Sequence, residues 1–235
     1  MISKEQAKRH RRALDLVELP RALDSRERDF VLGNFHEGAK HMNRLAGAFF
    51  TPEGLARDFS IEAGPLADGK RVLDLCAGIG RLSAPLVDYA SEVVCVEINP
   101  EYAEVGEAAV PKARWVVADA LGDLSWLGQF DLVISNPPWG RVGGHRYFEL
   151  ALVEAAAKLA RFGVFLLPQQ STPHRYSGKR AYEKELTPAF KAWQRRTGIV
   201  MEMNCGIDTE VYRGEWKVSA PTSEIVIVDY KDPEE

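Results

Sequence analysis

Cysteine is scarce in this chain, and long apolar runs are missing. Cys76, Cys95 and Cys205 lie far apart without a Cys-x-x-Cys pair, so the sequence predicts neither a disulfide scaffold nor a metal site. No apolar run approaches the roughly 18–20 residues that a membrane-spanning helix needs, and no membrane association is expected. The start, MISKEQAKRHRRALDLVELP, lacks the apolar core of a signal peptide, which predicts a cytoplasmic protein.

An overall excess of positive charge is also missing, with 30 lysines and arginines against 34 acidic residues, but positive charge is concentrated in two segments. The net charge of −4 is not that of a generally basic nucleic-acid-binding protein. Residues 1–12 nevertheless carry a net charge of +4 and residues 168–197 a net charge of +5. Such segments can contact phosphates locally, and they can equally be solvated helix faces.

The composition is that of an ordinary globular protein, with 46% hydrophobic and 27% charged residues. A chain of 235 residues can bury a sizeable core in one domain. We predict one domain over 1–235, with an N-terminal helical segment at 1–62 and a core at 63–235 that contains a basic insert at 168–197.

The first part of the chain has helical patterning, and the rest alternates between strands and helices. Apolar positions at helical spacing predict helices at 4–18, 25–46 and 52–62, the last with Thr51 as N-cap and Pro52 at its first position. A further helix is predicted at 147–161, and residues 204–223 can reverse the chain direction. Short buried strands separated by helices indicate an α/β domain with a mostly parallel sheet covered on both faces. Seven strands are predicted, at 72–75, 93–96, 115–117, 132–134, 164–167, 199–203 and 225–228.

A glycine-rich turn, Asp74-Leu-Cys-Ala-Gly-Ile-Gly80, follows the first predicted strand. Its glycines let the backbone approach a ligand at the edge of the sheet where α/β folds bind nucleotides. The turn lacks the third glycine of a dinucleotide fingerprint and the Gly-Lys-Ser/Thr ending of a phosphate loop. Asp74 suits an ammonium group better than a phosphate. Glu97 ends the second strand, at the position suited to ribose hydroxyls, and Asp119 follows the third strand, where it can accept from an adenine amino group.

These segments resemble the S-adenosylmethionine-binding motifs of class I methyltransferases. The resemblance implies a Rossmann-like methyltransferase fold, with Asp74 and the turn around the methionine moiety, Glu97 on the ribose and Asp119 on the adenine. The cofactor contacts implied in this part of the chain are Asp74, Cys76, Ala77, Gly78, Gly80, Glu97, Ile98, Asp119 and Ala120.

A second motif, Asn136-Pro-Pro-Trp139, follows the fourth predicted strand. Consecutive prolines hold the chain extended and donate no backbone hydrogen bonds. The Asn136 amide oxygen beside a rigid proline carbonyl gives two acceptors for a planar amino group, and Trp139 offers a flat stacking surface. Direct in-line transfer then depends on positioning and electrostatics, without a cysteine nucleophile.

This second motif resembles the Asn/Asp-Pro-Pro-aromatic signature of amino methyltransferases. Members of that group act on adenine N6 in DNA or RNA, cytosine N4 in DNA, or glutamine amides in proteins. The resemblance implies an enzyme rather than a scaffold that only binds the cofactor. It implies a catalytic motif formed by Asn136, Pro137, Pro138 and Trp139, in which Asn136 also contacts the cofactor.

Upstream, Phe49-Phe50-Thr51-Pro52 resembles the N-terminal motif of DNA adenine-N6 methyltransferases, which closes over the methionine part of the cofactor. The order of motifs matches the arrangement called gamma in that family. Phe49, Phe50 and Thr51 are therefore predicted cofactor contacts. A flipped adenine in DNA is the preferred substrate, and RNA adenine N6 and protein glutamine N5 are the alternatives.

A sizeable target-recognition domain, usual in sequence-specific DNA methyltransferases, has no counterpart in this sequence. The basic insert 168–197 interleaves basic and aromatic residues and is predicted to contact nucleic acid, with DNA preferred over RNA. Recognition is expected to be short or loose, or to depend on a protein partner. The glycine-rich residues 140–144 predict a mobile loop near the substrate, with His145 as a solvated residue. The predicted substrate contacts are His174, Arg175, Lys179, Arg180, Arg195 and Arg196.

Overall fold

A seven-stranded sheet forms the centre of the protein, which a computed structural model describes for residues 2–39, 48–184 and 186–230. The strands are β1 (Arg71–Leu75), β2 (Glu92–Glu97), β3 (Arg114–Val117), β4 (Phe130–Ser135), β5 (Ala160–Pro168), β6 (Glu202–Met203) and β7 (Ser223–Asp229). Their order in the sheet is β3-β2-β1-β4-β5-β7-β6. Strands β1 to β5 are parallel, and β7 runs antiparallel to its neighbours β5 and β6.

Helices cover both faces of the sheet. The α-helices among the described residues are α1 (Lys4–Val17), α2 (Ser25–Asn34), α3 (Glu53–Ala67), α4 (Pro100–Ala109), α5 (Phe148–Ala156) and α6 (Pro188–Thr197). Short 3-10 helices lie at Glu37–Ala39, Ser125–Leu127, Gln169–Ser171 and Thr209–Glu215. None of the described helices is long and apolar enough to cross a membrane.

The two faces follow from the alternation of side chains along each strand. Val72 of β1 belongs to a buried cluster that also contains residues of α1 to α4, such as Val31 and Phe59. The next residue, Leu73, belongs to a second cluster with Val153 of α5 and residues of α6. Strands buried on both faces form the mostly parallel sheet that the sequence predicts, and this fold prediction is confirmed.

Several predicted boundaries need correction. The helix predicted at 25–46 ends at Asn34, because Phe35 takes an extended conformation and its ring packs into the core; residues 40–46 of that prediction lie outside the described residues. Helix α3 runs on to Ala67, across the boundary predicted between residues 62 and 63. The strand predicted at 199–203 is reduced to its last two residues, and the helix predicted at 147–161 ends at Ala156, before β5 begins.

The reversal of direction expected within residues 204–223 is present, since β6 and β7 pair antiparallel around the 3-10 helix at 209–215. A series of turns, rather than a regular helix, follows the glycine-rich turn. Its hydrogen bonds mix two spacings, from Ala84 N to Gly80 O and from Leu86 N to Ser83 O.

Gly106 of α4 tests the packing of this helix on β3. A β-carbon at residue 106 would overlap the Trp115 ring, so Gly106→Ala should lower the free energy of unfolding by about 1–3 kcal/mol. Gly33→Ala is the matched control, because a β-carbon there meets no atom within 4 Å, and it should raise stability by up to about 1 kcal/mol. Urea denaturation measures the free energy of unfolding of both variants. Equal changes in the two variants would contradict the close packing of Gly106 on Trp115.

Candidate active site

A cavity of about 440 Å³ lies at the edge of the sheet where the parallel strands end. The ends of β1, β2 and β4 and the residues after β3 all contribute to its wall, as the strand-end positions of the carboxylates predict. The predicted cofactor residues that line it are Phe49, Phe50, Thr51, Asp74, Cys76, Ala77, Gly78, Glu97, Ile98, Asp119, Ala120 and Asn136.

Gly80 is the predicted cofactor residue that does not line the cavity. It points the other way, and a β-carbon there would stand 2.8 Å from Val110 and 3.0 Å from the Trp115 ring. Its φ of +85° also favours glycine. Close packing and backbone conformation, rather than ligand contact, explain this glycine.

The glycine-rich turn is held by the carboxylate at the end of the neighbouring strand. Gly78 N donates to Glu97 Oε2 at 2.8 Å, and Asn99 N donates to Glu97 Oε1 at 2.9 Å. Burial raises the pKa of Glu97. Gly78 lies under the Phe50 ring, which a β-carbon would approach to 3.1 Å, so the N-terminal motif closes directly over the turn.

Asp74 is a buried carboxyl group with only half of its hydrogen-bonding capacity used. Ser83 Oγ donates to Asp74 Oδ2 at 2.7 Å, while Oδ1 is buried without a partner. Burial raises the pKa of Asp74 to about 7. A cation in the cavity would restore its charge and satisfy the free oxygen, so this group fits the ammonium of an amino acid.

Arg81 is a cavity residue that the sequence analysis missed. Its side chain lines the cavity, its Nε is buried without a partner, and within the described ranges it forms no ion pair. Burial lowers its pKa. Glu53, Asp29 and Glu215 offset its charge only from a distance, so this largely buried guanidinium without a direct partner suits an anion. Its place directly after Gly80 was a signal, but the direction of its side chain depends on the irregular turns that follow.

Asn136 is fixed through its amide nitrogen. Nδ2 donates to the Phe49 carbonyl oxygen at 2.9 Å and to Thr51 Oγ1 at 3.0 Å, whereas Oδ1 is buried without a partner. The oxygen is therefore the part of the amide available to a ligand. The predicted capping role of Thr51 is wrong, because α3 begins at Glu53 without a side-chain cap and the Thr51 hydroxyl binds Asn136.

Of the other residues in the Asn-Pro-Pro-Trp motif, one lines the cavity and two lie behind its wall. Pro138 lines the cavity, and Pro137 is buried outside the lining. Trp139 Nε1 donates to Leu166 O at 3.2 Å, and its ring stacks on Phe49 at 5.4 Å between centroids. Trp139 thus supports Phe49 from behind, instead of offering the open stacking surface that the sequence predicts.

The predicted substrate contacts in the basic insert do not line the cavity. His174 is buried, which lowers its pKa and prevents contact with phosphates. Arg196 makes a two-fold ion pair with Glu154, at 2.6 and 2.9 Å, and Lys179 lies 3.4 Å from Glu183. The other predicted substrate contacts, Arg175, Lys179, Arg180, Arg195 and Arg196, also lie outside the cavity lining, and their contact with nucleic acid stays a prediction.

The segment after the catalytic motif supplies cavity residues that were not predicted. Val142, Gly143, His145 and Phe148 line the cavity. His145 is exposed, as expected, but it stands at the cavity and not apart from it. The only sequence signal was the proximity of this segment to the motif.

The pKa of Asp74 gives stability a defined pH dependence. The folded protein holds this proton more tightly than the unfolded chain, in which the pKa is near 3.8, so Asp74 costs stability as pH rises through this window. Asp74→Asn removes that cost and can still accept from Ser83. Its stability advantage over the wild type should therefore grow by about 2–3 kcal/mol between about pH 5 and pH 8.

Urea denaturation at the two pH values measures this change. Asp88→Asn is the control, because Asp88 is exposed and paired with Lys112, and it should change stability by about 1 kcal/mol or less at either pH. An Asp74→Asn effect that is the same at both pH values would show that the carboxyl group titrates normally.

Comparison with known proteins finds sequence similarity in part of the chain. Residues 72–159 match the family model described as "Methyltransferase domain". Over 76 residues the chain is 40% identical to the 23S rRNA (uracil(1939)-C(5))-methyltransferase RlmD of Shewanella piezotolerans. That match covers 29% of this chain and only 17% of the relative.

Solved structures share the whole fold at low sequence identity. A "putative RNA methyltransferase" of Pyrococcus horikoshii has a TM-score of 0.59 at 17% identity, covering 95% of this chain and 98% of that one. The 23S rRNA methyltransferase ErmE has a TM-score of 0.55 at 19% identity, over 78% and 69% of the two chains. The N-terminal domain of EvdMO1 with bound S-adenosylhomocysteine has a TM-score of 0.53 at 17% identity, over 98% of each chain.

The family match, the fold of the sheet and the cavity at its carboxyl edge agree with one another. The chain thus has a Rossmann-like methyltransferase fold in which residues 72–159 match a methyltransferase domain, and its cofactor is S-adenosylmethionine.

Proposed function

We propose that this chain methylates an exocyclic amino group of a nucleic-acid base, with adenine N6 in DNA as its preferred substrate. The orientation of Asn136 carries the proposal. Both hydrogens of its amide nitrogen are directed at Phe49 O and Thr51 Oγ1, which leaves a buried acceptor oxygen in the cavity wall. A neutral acceptor in a fixed position matches an N–H donor on the substrate.

The proposed mechanism requires orientation rather than strong acid or base catalysis. Bound S-adenosylmethionine supplies a methyl group on a positively charged sulfur atom. Asn136 Oδ1 accepts a hydrogen bond from the amino group and holds its nitrogen in line with that methyl group. In that position the nitrogen lone pair would take the methyl group as the C–S bond breaks with its electron pair going to sulfur, and the nitrogen would then release a proton to water.

The environment of the cysteines supports methyl transfer to a nitrogen atom. It does not favour transfer to a uracil ring carbon, the reaction for which the Shewanella relative is named. Methylation of a pyrimidine ring carbon needs a thiolate to activate the ring. Cys76 is the one of the three cysteines that lines the cavity, and burial beside Glu97, Asp74 and Asp119 raises its pKa well above the usual range. A thiol kept protonated supports the amino-group assignment.

The choice of DNA rests on the Phe49-Phe50-Thr51-Pro52 segment. Its resemblance to the motif of DNA adenine-N6 methyltransferases is supported by its contacts, because Phe50 covers Gly78 and Thr51 binds Asn136. Adenine N6 in RNA is the second candidate. It is favoured by the names of the relatives, of which the Shewanella protein and ErmE are described as rRNA methyltransferases.

For the cofactor, the cavity offers two opposite charges that lack partners. Asp74 Oδ1 and Arg81 Nε are both buried and unpaired, and both side chains line the cavity. The amino-acid end of S-adenosylmethionine carries an ammonium and a carboxylate, which would compensate the two charges together. We assign the ammonium to Asp74, the carboxylate to Arg81, the ribose to Glu97 and the adenine to Asp119.

Labelled methyl transfer tests the substrate. Duplex DNA, single-stranded DNA, RNA and a protein extract are incubated in parallel, and the labelled nucleosides or amino acids are identified. N6-methyladenine in DNA is the expected product. The same nucleoside in RNA would establish the second candidate, and label confined to protein would refute the nucleic-acid proposal.

The same assay tests Asn136 and its support. Asn136→Ala should lower the transfer rate by about 10²–10³-fold because it removes the positioned acceptor, while the Kd for S-adenosylmethionine stays within a few-fold. Thr51→Val removes the hydroxyl that accepts from Asn136 and should lower the transfer rate by a smaller factor. Thr51→Ser keeps the hydroxyl and should transfer at nearly the wild-type rate. An Asn136→Ala variant that transfers normally would remove the basis of the proposal.

Arg81→Leu tests the cofactor assignment by calorimetry without nucleic acid. The variant should bind S-adenosylmethionine about 10–100-fold more weakly, as expected for the loss of a charged hydrogen bond. It should bind decarboxylated S-adenosylmethionine as the wild type does, because that analogue lacks only the carboxylate. Arg57→Leu, exposed on α3, is the control and should bind both normally. Equal weakening for both cofactors would contradict the carboxylate assignment.

A further inference from the structure

The segment 140–148, directly after the catalytic motif, forms a tight hairpin at the cavity. Val142 N donates to His145 O at 3.1 Å, and His145 N donates to Val142 O at 2.9 Å. Gly143 and Gly144 between them have φ values of +55° and +84°, the left-handed conformation that both central residues of a type I′ turn require. The glycine-rich loop that the sequence predicts thus has the geometry of a hydrogen-bonded hairpin turn.

The base of this hairpin is anchored to a buried carboxylate. Gly140 N donates to Glu149 Oε2 at 2.8 Å, and Phe148 N donates to Gly140 O at 3.0 Å. The fully buried Glu149 also accepts from Ser171 Oγ at 2.6 Å, which ties the hairpin to the segment after β5. These contacts fix the direction in which the hairpin projects.

The hairpin carries positive charge that no carboxylate compensates. Arg141 and Arg146 are exposed, and neither forms an ion pair in the parts of the chain that the structure describes. In the basic insert, Arg196 and Lys179 have acidic partners, whereas Arg180 and Arg195 form no ion pair among the described residues but lie outside the cavity lining. Between the two hairpin arginines, Val142, Gly143 and His145 form part of the cavity wall. Arg146 lies over the Tyr147 ring, 5.5 Å from its centroid. On a protein of net charge −4, two arginines beside the cavity without acidic partners among the described residues are suited to a polyanion.

We propose that the hairpin 140–148 is the surface that holds the nucleic-acid backbone at the cavity. Arg141 and Arg146 bind phosphates on either side of the target nucleotide, and Val142 and His145 contact the nucleotide that enters. The substrate class rests on the proposed function. Phosphate contacts provide affinity without sequence information, so this surface gives loose sequence preference.

Binding to a fluorescent DNA duplex, measured by anisotropy over a range of salt concentrations, tests the hairpin. Arg141→Gln with Arg146→Gln should weaken binding at least about tenfold and reduce the slope of log affinity against log salt by about two, since each lost phosphate contact removes about 0.9. The pair Arg141→Lys with Arg146→Lys should keep the wild-type slope. Arg180→Gln with Arg195→Gln is the matched control in the basic insert and should change neither quantity.

A wild-type slope in the hairpin double glutamine variant, or a loss confined to the basic-insert variant, would overturn the assignment. Calorimetry with S-adenosylmethionine verifies that the cofactor site of each variant is intact. If the wild type methylates nucleic acid and the hairpin variants bind it normally, the hairpin assignment alone fails. If the wild type methylates only protein, the proposed function itself fails.

Discussion

One amide side chain connects the N-terminal segment to the Asn-Pro-Pro-Trp motif, and the rest of the site depends on that connection. The amide nitrogen of Asn136 donates both of its hydrogen bonds to Phe49 O and Thr51 Oγ1, which are 87 and 85 residues away in the sequence. These bonds orient the free oxygen of Asn136, and they also hold the neighbouring Phe50 ring over the glycine-rich turn. A site assembled this way forms only when the helical segment and the sheet have packed together.

Uncompensated buried charge is the second constraint on this site. Asp74 and Arg81 each keep a buried polar atom without a partner, and Glu97 is buried with its oxygens on backbone N–H groups. Such groups cost stability in the protein without a ligand. The apolar packing on both faces of the sheet offsets that cost in stability. The cavity can therefore hold buried charged groups whose missing partners a ligand supplies.

Sequence reasoning succeeded where a local pattern determines position. The strand ends at Asp74 and Glu97 and the residues after β3 must meet, because parallel strands present their carboxyl ends at one edge of the sheet. It failed where distant contacts decide. Thr51 has the pattern of a helix cap, and only Asn136 shows that its hydroxyl is used elsewhere. His174 belongs to a basic segment, and only the fold shows that it is buried.

The tip of the hairpin also bears on how a small enzyme of this kind can diversify. A β-carbon at Gly143 or Gly144 would meet no atom within 4 Å, so nothing packs against the tip from above. Glu149 anchors the first end of the hairpin at Gly140, and the bond from Phe148 N to Gly140 O joins the two ends, so neither contact involves the tip. Exposed loop tips of this type tolerate insertions. Lengthening the chain between these two glycines is thus a route by which descendants could gain a recognition module while the catalytic framework stays unchanged.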